Sequence, residues 1–369
     1  MTSATRRTGW VCHELYFWHN TLGWNQFFEP GLTIQPGEHA ENAETKRRFR
    51  NLVEVSGMLD RLHPIAPVSA SNEALLRIHT QAHLDHIAAV SAGGGGDAGE
   101  GTPMGRDGEA IARLSAGGAI SAVDAVIGGK VDNAYVLCRP PGHHAMPEKA
   151  MGFCFYSNAA VAVAHARAVH GLKRVAVVDW DVHHGNGTEA AFYADPDVLT
   201  ISLHQDRLYP ETTGDLGDVG EGAGEGANMN VPLPAGSGEG AYLAAMERVV
   251  LPALRRHRPE LILIASGFDA SAMDPLGRMM LSSEAFRKMS EAVVGAAEEL
   301  CGGRLVATHE GGYSAAYVPY CGLATLEAMS GFATGVADPW LPSVSIYGGQ
   351  GLTPHQAAAV DAAVERHGL

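Results

Sequence analysis

Cysteine is scarce in this chain. Its 369 residues hold five, Cys12, Cys138, Cys154, Cys301 and Cys321, an odd set at long spacings with no C-x-x-C pair. That excludes a disulfide framework and points to reduced thiols in a cytosolic setting. Positive charge is also short: Lys plus Arg total 26 against 41 Asp plus Glu, a formal charge of −15. Nucleic acid needs Lys and Arg, so it is a poor partner class, whereas a basic substrate suits the balance, as does simple solubility. No long apolar run stands out, so no membrane span is expected. Arg6-Arg7 would fit a twin-arginine signal, but the segment from Thr8 to Asn20 carries His13, Glu14 and His19 and forms no apolar signal core. The expected location is the cytoplasm. Gly93-Gly94-Gly95-Gly96 is followed by no Gly-Lys-Ser/Thr and preceded by no strand, which excludes a phosphate loop; residues 92–109 are expected to form a flexible loop. No Pro/Ser-rich linker and no solenoid repeat divides the chain, so residues 1–369 read as one domain.

What is present is a rhythm. Glu44 to Leu62 and Asn72 to Val90 read as helical, and His79, His83 and His86 would share a face of the second segment. No carboxylate or Cys completes that set as a metal face, so a structural or surface role is expected for it. From about residue 110, helices (Ile111 to Val126, Ser157 to Val169 with Ser157 as N-cap, Ala241 to Arg256, Ser283 to Leu300) alternate with apolar strands (Ala134 to Cys138, Val175 to Val178, Val198 to Leu203, Leu261 to Ala265, Leu305 to Thr308). Residues 206–228 form a Gly- and acid-rich loop. Alternation of this kind predicts an α/β protein with a single, mostly parallel central sheet covered by helices on both faces, and the continuous Val/Ile/Leu strands agree.

The polar residues gather just past the carboxyl ends of these strands: His143-His144, Asp179, Asp181, His183, His184, His204, Asp269 and Tyr313. In open α/β sheets that edge binds ligands. Within Val178-Asp-Trp-Asp-Val-His183, extended backbone would place Asp179, Asp181 and His183 on one face. A carboxylate and an imidazole two apart can bind one metal, with Asp269 as the natural third ligand. Two Asp and one His leave a tetrahedral zinc with an open position, as in catalytic sites. Asp179, one pleat deeper, suits orienting a neighbour or holding a hard monovalent cation. His143-His144 follows the rigid Pro140-Pro141-Gly142 turn; one of its imidazoles can shuttle a proton, and two adjacent rings need different environments because two cations repel. Tyr313, after Glu310-Gly311-Gly312, would either donate to a developing oxyanion or simply pack at a strand end.

These motifs together resemble the histone deacetylase family of the arginase–deacetylase superfamily, and within it the bacterial amidohydrolases similar to class II deacetylases. The resemblance is carried by Arg139-Pro-Pro-Gly-His-His144, Gly152-Phe-Cys-Phe155, Val178-Asp-Trp-Asp-Val-His-His-Gly-Asn-Gly-Thr188, Ile201-Ser-Leu-His204, Ser266-Gly-Phe-Asp-Ala270, Asp274-Pro-Leu-Gly277 and Glu310-Gly-Gly-Tyr313. It implies an arginase–deacetylase-like fold and hydrolysis of acyl-lysine amides. It implies one zinc per chain on Asp181, His183 and Asp269, with His144 as base and acid, His143 as its electrostatic neighbour oriented by Asp179, and Asn186 as partner of His144. Tyr313 would polarise the carbonyl. Gly152, Phe153, Tyr209, Leu276 and Gly311 would form the substrate channel. Structural potassium is implied at Asp179, Ser202 and the carbonyls of Asp181, His183 and Leu203, and a second monovalent site around Phe192, Asp195 and Val198. The implied substrates are acetylated lysine in a peptide or protein, or a small acetylated amine, with neither nucleic acid nor membrane as partner and a homo-oligomer possible. Leu276 stands where polyamine-selective relatives can carry Glu, so acetyl-lysine peptides are expected to be preferred over acetylpolyamines.

Three rivals remain at this stage. A binuclear ureohydrolase resembling arginase lacks two carboxylates, since Gly185 and Ser271 stand at those positions. A catalytically dead reader would have no use for the full set of histidines, ligands and Tyr313. An acetylpolyamine amidohydrolase differs only in substrate.

Overall fold

The computed structural model describes residues 5–369. The strands are β1 (Thr8–Val11), β2 (His63–Ile65), β3 (Gly95–Asp97), β4 (Pro103–Gly105), β5 (Asn133–Val136), β6 (Val175–Asp179), β7 (Val198–Gln205), β8 (Asn228–Leu233), β9 (Leu261–Ser266) and β10 (Leu305–His309). The helices are α1 (Glu44–Val55), α2 (Asn72–Leu75), α3 (Gln81–Ala92), α4 (Gly108–Ile127), α5 (Asn158–His170), α6 (Asn186–Phe192), α7 (Glu239–Ala245), α8 (Leu251–His257), α9 (Ser283–Cys301), α10 (Val318–Ser330), α11 (Leu341–Val344) and α12 (Pro354–His367).

Eight strands form one sheet in the order β2-β1-β5-β10-β9-β6-β7-β8, with every pairing parallel. Alternate residues of each strand feed two apolar layers. Val175, Val177, Leu261 and Leu263 pack with α4 and α5 on one face. Ala176, Val178, Ile262 and Ile264 pack with α1, α9 and α10 on the other. Burial on both sides is why these strands carry no polar alternation. The order reverses between β6 and β9: β6 leads to β7 and β8 on one side, β9 to β10 on the other. A crevice at the carboxyl ends is expected at such a switch point.

Several expectations are corrected. Residues 92–109 are not a featureless loop. They hold the β3–β4 hairpin, whose tip is organised by the Asp97 carboxylate accepting the N–H groups of Gly99, Gly101 and Thr102. His79 precedes α3 rather than sharing its face. It accepts the Ser157 N–H at Nε2 and donates Nδ1–H to the Met146 carbonyl, while His83 and His86 bond the carbonyls of Phe155 and Ala98. The three rings tie loops together, as a structural role requires. Ser157 occupies the N-cap of α5, yet its hydroxyl makes no cap bond. Residues 241–256 form one helical stretch interrupted by a π turn at Met246–Val250. Strand β7 runs to Gln205, so His204 lies within it; its ring bonds Ser202 Oγ and the Gly214 carbonyl, pinning the 206–228 loop. Helix α4 is long and apolar enough to cross a membrane by length and composition alone, against the reading that no such run exists; 67% of its most apolar window is buried in this fold.

Candidate active site

The chain does not stay extended past β6. Asp179 Oδ1 accepts the Asp181 N–H at 3.0 Å, and Asp181 Oδ1 accepts the His183 N–H at 2.9 Å. Two successive turns of this kind curl the strand end, so the i, i+2 grouping arises from side-chain-to-backbone bonds rather than from a pleat. Asp181 and His183 thereby meet Asp269, which follows β9. One ligand atom from each of the three lies within 4.8 Å of the others, and all three residues are buried. His183 Nδ1 faces the carboxylates, 2.9 Å from Asp181 Oδ1 and 3.2 Å from Asp269 Oδ2. Asp269 Oδ1 accepts the Val182 N–H, but Oδ2 is buried with no hydrogen-bond partner among the described residues. An orphaned carboxylate oxygen beside a second carboxylate and an imidazole is the donor set of a metal site and fits a divalent ion.

The histidine pair stands against this cluster. His143 donates Nδ1–H to Asp179 Oδ2 at 2.9 Å, and its Nε2 lies 3.7 Å from Asp181 Oδ1. His144 donates Nδ1–H to Asn186 Oδ1 at 2.8 Å, leaving Nε2 to accept. The ring centroids are 3.9 Å apart. Burial works against charge on His143, but Asp181 and Asp179 outweigh it and push the imidazole up to about 10. His144 is held well below its ordinary value by burial, then by His143 and His183. The two environments thus favour charge on His143 and neutrality on His144. Burial raises the Asp179 carboxyl above its ordinary value, and the bond with His143 opposes that rise. Tyr313 is held far above its ordinary value by burial and the nearby Asp269 and Asp181 carboxylates, so its hydroxyl stays a donor.

Access is through a cavity of about 210 Å³ that reaches His144, His183 and Tyr313. Phe153 and Tyr209 line it. Phe153 sits in the left-handed region at φ +67°, a conformation an aromatic residue rarely takes, with its N–H on Thr102 Oγ1. Gly152 is required, because a Cβ there would run into the His144 ring. Leu276 lies at the lining. Gly311 is corrected: it stands beneath the ligands rather than on the wall, donating to Asp181 Oδ2 at 2.7 Å, and a Cβ there would collide with Asp269 Oδ2. For the cation set, Asp179 and Ser202 are register partners of β6 and β7, so they meet. Phe192 ends α6 and Val198 opens β7; in the link between them Asp195 N–H donates to the Phe192 carbonyl, and Val198 N–H to the Asp195 carbonyl.

Four further residues contribute to the site. Phe27, from the loop after β1, stacks on Phe153 at 5.2 Å and on Tyr209 at 5.4 Å, completing an aromatic wall. Asp274 accepts the N–H of Tyr313 at 2.7 Å and that of Leu276 at 2.9 Å, tying the phenol's turn to the rim. Glu310 is fully buried; its Oε2 accepts the N–H groups of Gly142 at 2.7 Å and His143 at 3.1 Å, and Oε1 accepts the Thr308 hydroxyl. Glu211 lines the mouth of the cavity and is exposed. A carboxylate directly after β10 was a usable signal for Glu310; nothing in the sequence marks Phe27.

Residues 39–329 match the model of the histone deacetylase domain. The chain is 53% identical over 338 residues to a histone deacetylase-like amidohydrolase of Pseudomonas aeruginosa, covering 91% of this chain and 89% of that one. It is 37% identical over 343 residues to histone deacetylase 8 of Arabidopsis thaliana, covering 88% of each. The crystal structure of the HDA15 HD domain superposes with a TM-score of 0.82 at 32% identity, over 98% of this chain and 99% of that one. With a domain match across most of its length and a shared deacetylase fold, this chain belongs to the histone deacetylase family and, by that membership, is a hydrolase of acyl amides.

Proposed function

We propose that the chain is a zinc-dependent amidohydrolase that removes acetyl or similar acyl groups from lysine side-chain amides. The observation that carries this reading is the orphaned Asp269 Oδ2 converging with Asp181 and His183 at the floor of an aromatic channel. A zinc ion held by these three residues supplies polarisation of the acyl carbonyl and a lowered pKa for water. The remaining chemistry belongs to the chain. Phe153, Phe27 and Tyr209 exclude water from the acyl-lysine stem and align the amide. Neutral His144 takes a proton from the attacking water at Nε2, with Asn186 fixing the tautomer. Cationic His143, held by Asp179, stabilises negative charge beside it. Tyr313 donates its O–H to the carbonyl oxygen as that oxygen becomes an oxyanion. His144 then returns the proton to the departing amine, releasing acetate and free lysine. Potassium is assigned a structural role at Asp179 and Ser202 with the carbonyls of Asp181, His183 and Leu203, and a second site to Phe192, Asp195 and Val198.

The test is turnover of an acetyl-lysine peptide beside elemental analysis. Tightly held zinc together with acetate release supports the reading. Turnover that survives Asp269→Asn unchanged would overturn it. A second reading, acetylpolyamine hydrolysis, is favoured by Glu211, which puts a carboxylate at the mouth that Leu276 does not provide. Acetylputrescine and an acetyl-lysine peptide assayed side by side separate the two.

A further inference from the structure

A separate set of metal-type ligands sits where α4 packs along α5. Asp124 lies in the last turn of α4; His165 and His170 lie in the second half of α5, His170 as its final residue. His165 Nε2 is 2.8 Å from Asp124 Oδ1, and His170 Nε2 is 2.7 Å from the same oxygen. The ring centroids are 5.5 Å apart at an interplanar angle of 71°. One ligand atom from each residue lies within 4.8 Å of the other two.

A purely structural bridge between the helices would need one imidazole. Here two rings converge on one carboxylate oxygen, each through the nitrogen farther from its own backbone. Neither Nδ1 has a hydrogen-bond partner among the described residues. Each neutral ring can therefore carry its proton on Nδ1 and turn a lone pair inward from Nε2, while a doubly protonated ring would release one proton to solvent. Bonds of about 2.0–2.1 Å to a tetrahedral ion place its ligand atoms about 3.4 Å apart, so Asp124 Oδ1 must withdraw by about 0.6 Å from each ring. Its side chain is 48% exposed and has room for that shift; the imidazoles, 13% and 24% exposed, are the better-fixed partners. Two imidazoles and a carboxylate suit a borderline divalent ion, with water completing the shell.

We propose that Asp124, His165 and His170 form a second metal site, for one zinc-like divalent transition ion, which clips the end of α4 to the end of α5 and takes no part in amide hydrolysis. The probe is Zn2+ added to protein that already holds its active-site ion. After dialysis against about 10 μM zinc, wild-type protein is expected to hold one more ion per chain than the His165→Gln/His170→Gln double variant. The kcat/KM values should be equal, and zinc should raise the unfolding temperature of wild type alone. Asp124→Asn keeps an acceptor oxygen for both N–H groups while losing the charge. It is expected to retain zinc-free stability and to lose the extra ion, which a merely structural trio would not predict. Equal ion counts in wild type and the double variant, or an Asp124→Asn protein that binds the extra ion as wild type does, would overturn the proposal.

Discussion

Replacing Glu310 with Ala is expected to lower turnover without weakening substrate binding. Glu310 touches neither the channel nor the metal ligands' oxygens, yet its Oε2 receives two consecutive backbone N–H groups from the turn that presents the histidine pair. Both donors are buried with it. Leaving two such groups unpaired costs about 1–3 kcal/mol each, so the fold should lose about 2–6 kcal/mol. The turn is then free to relax toward other acceptors. His143 and His144 ride on it, and a displacement of about 1 Å in a proton-transferring group can cost about a hundredfold in rate. The aromatic wall is built from Phe27, Phe153 and Tyr209 and does not depend on this carboxylate. Steady-state kinetics on an acetyl-lysine substrate should therefore show kcat falling by about a hundredfold with KM little changed. Glu310→Gln supplies the rescue: its Oε1 can accept the same N–H pair, and the Thr308 hydroxyl can rotate to accept from Nε2. That variant should recover to within about tenfold of wild type. A folded, metal-loaded Glu310→Ala protein whose kcat stays within about threefold of wild type would refute the positioning role.

Tyr313→Phe should fold and keep its metal but lose on the order of a hundredfold or more in turnover, the cost of one oxyanion donor; near-normal hydrolysis would remove the phenol from the mechanism. Stripping the divalent ion with a chelator should cost more stability at pH 7 than at pH 5. Burial, then Asp181, raise the metal-free Asp269 carboxyl to about 6. A raised carboxyl weakens the fold as pH climbs from about 4 through 6, by up to about 3 kcal/mol, and a bound cation removes that penalty. Urea midpoints of loaded and stripped protein at the two pH values check this, and a gap that is smaller at pH 7 contradicts it. Glu211→Gln should lower kcat/KM for acetylputrescine about two- to fivefold more than for an uncharged acetyl-lysine peptide, because an exposed charge pair is worth about 1 kcal/mol or less; equal effects on both substrates would exclude Glu211 from cation recognition.

The central sheet and the chemistry at its edge were legible because each has a local signature. Strands β6, β9 and β10 are uninterrupted apolar runs ending in Asp, Ser or His, and both faces are covered, so no amphipathic pattern competes. The candidate ligands Asp181, His183 and Asp269 lie within four residues of those strand ends. Strands β1 and β2 were not legible, since Thr8–Val11 and His63–Ile65 are short and include Gly and Pro, and only the pairing of β1 with β5 and of β2 with β1 gives them an identity. The hairpin at Gly95–Gly105 was hidden because glycine content reads as freedom, whereas the order comes from a single side chain, Asp97. Phe27 is out of reach for a different reason: its partners Phe153 and Tyr209 are more than a hundred residues away, and spacing carries no information over that distance. Its neighbour Gln26 at φ +53° shows how tightly the loop must turn to deliver it.

The buried charges explain why the site forms where it does. β9 lies between β6 and β10, with Asp179 level with Ala265 and Ser266 level with His309, so the residues that follow these strands are forced together. Asp179 is satisfied by His143 and the Asp181 N–H. Glu310 is satisfied by the Gly142–His143 backbone and Thr308. Asp181 has His183 and the Gly311 N–H. Only Asp269 keeps an unfilled oxygen, and it faces Asp181 at close range. The His183 imidazole lies against both carboxylates; burial opposes charge on it, but Asp181 and Asp269 beside it push it up to about 10. Asp181, His183 and Asp269 would hold a divalent cation at that point, and its charge would satisfy Asp269 Oδ2 and offset the repulsion between the two carboxylates. The third carboxylate of a binuclear site has nowhere to stand, because Gly185 must stay small: a Cβ there would run into Asp179 Oδ2. The packing that holds His143 to Asp179 thus also leaves no room at position 185 for the carboxylate a second divalent ion would need.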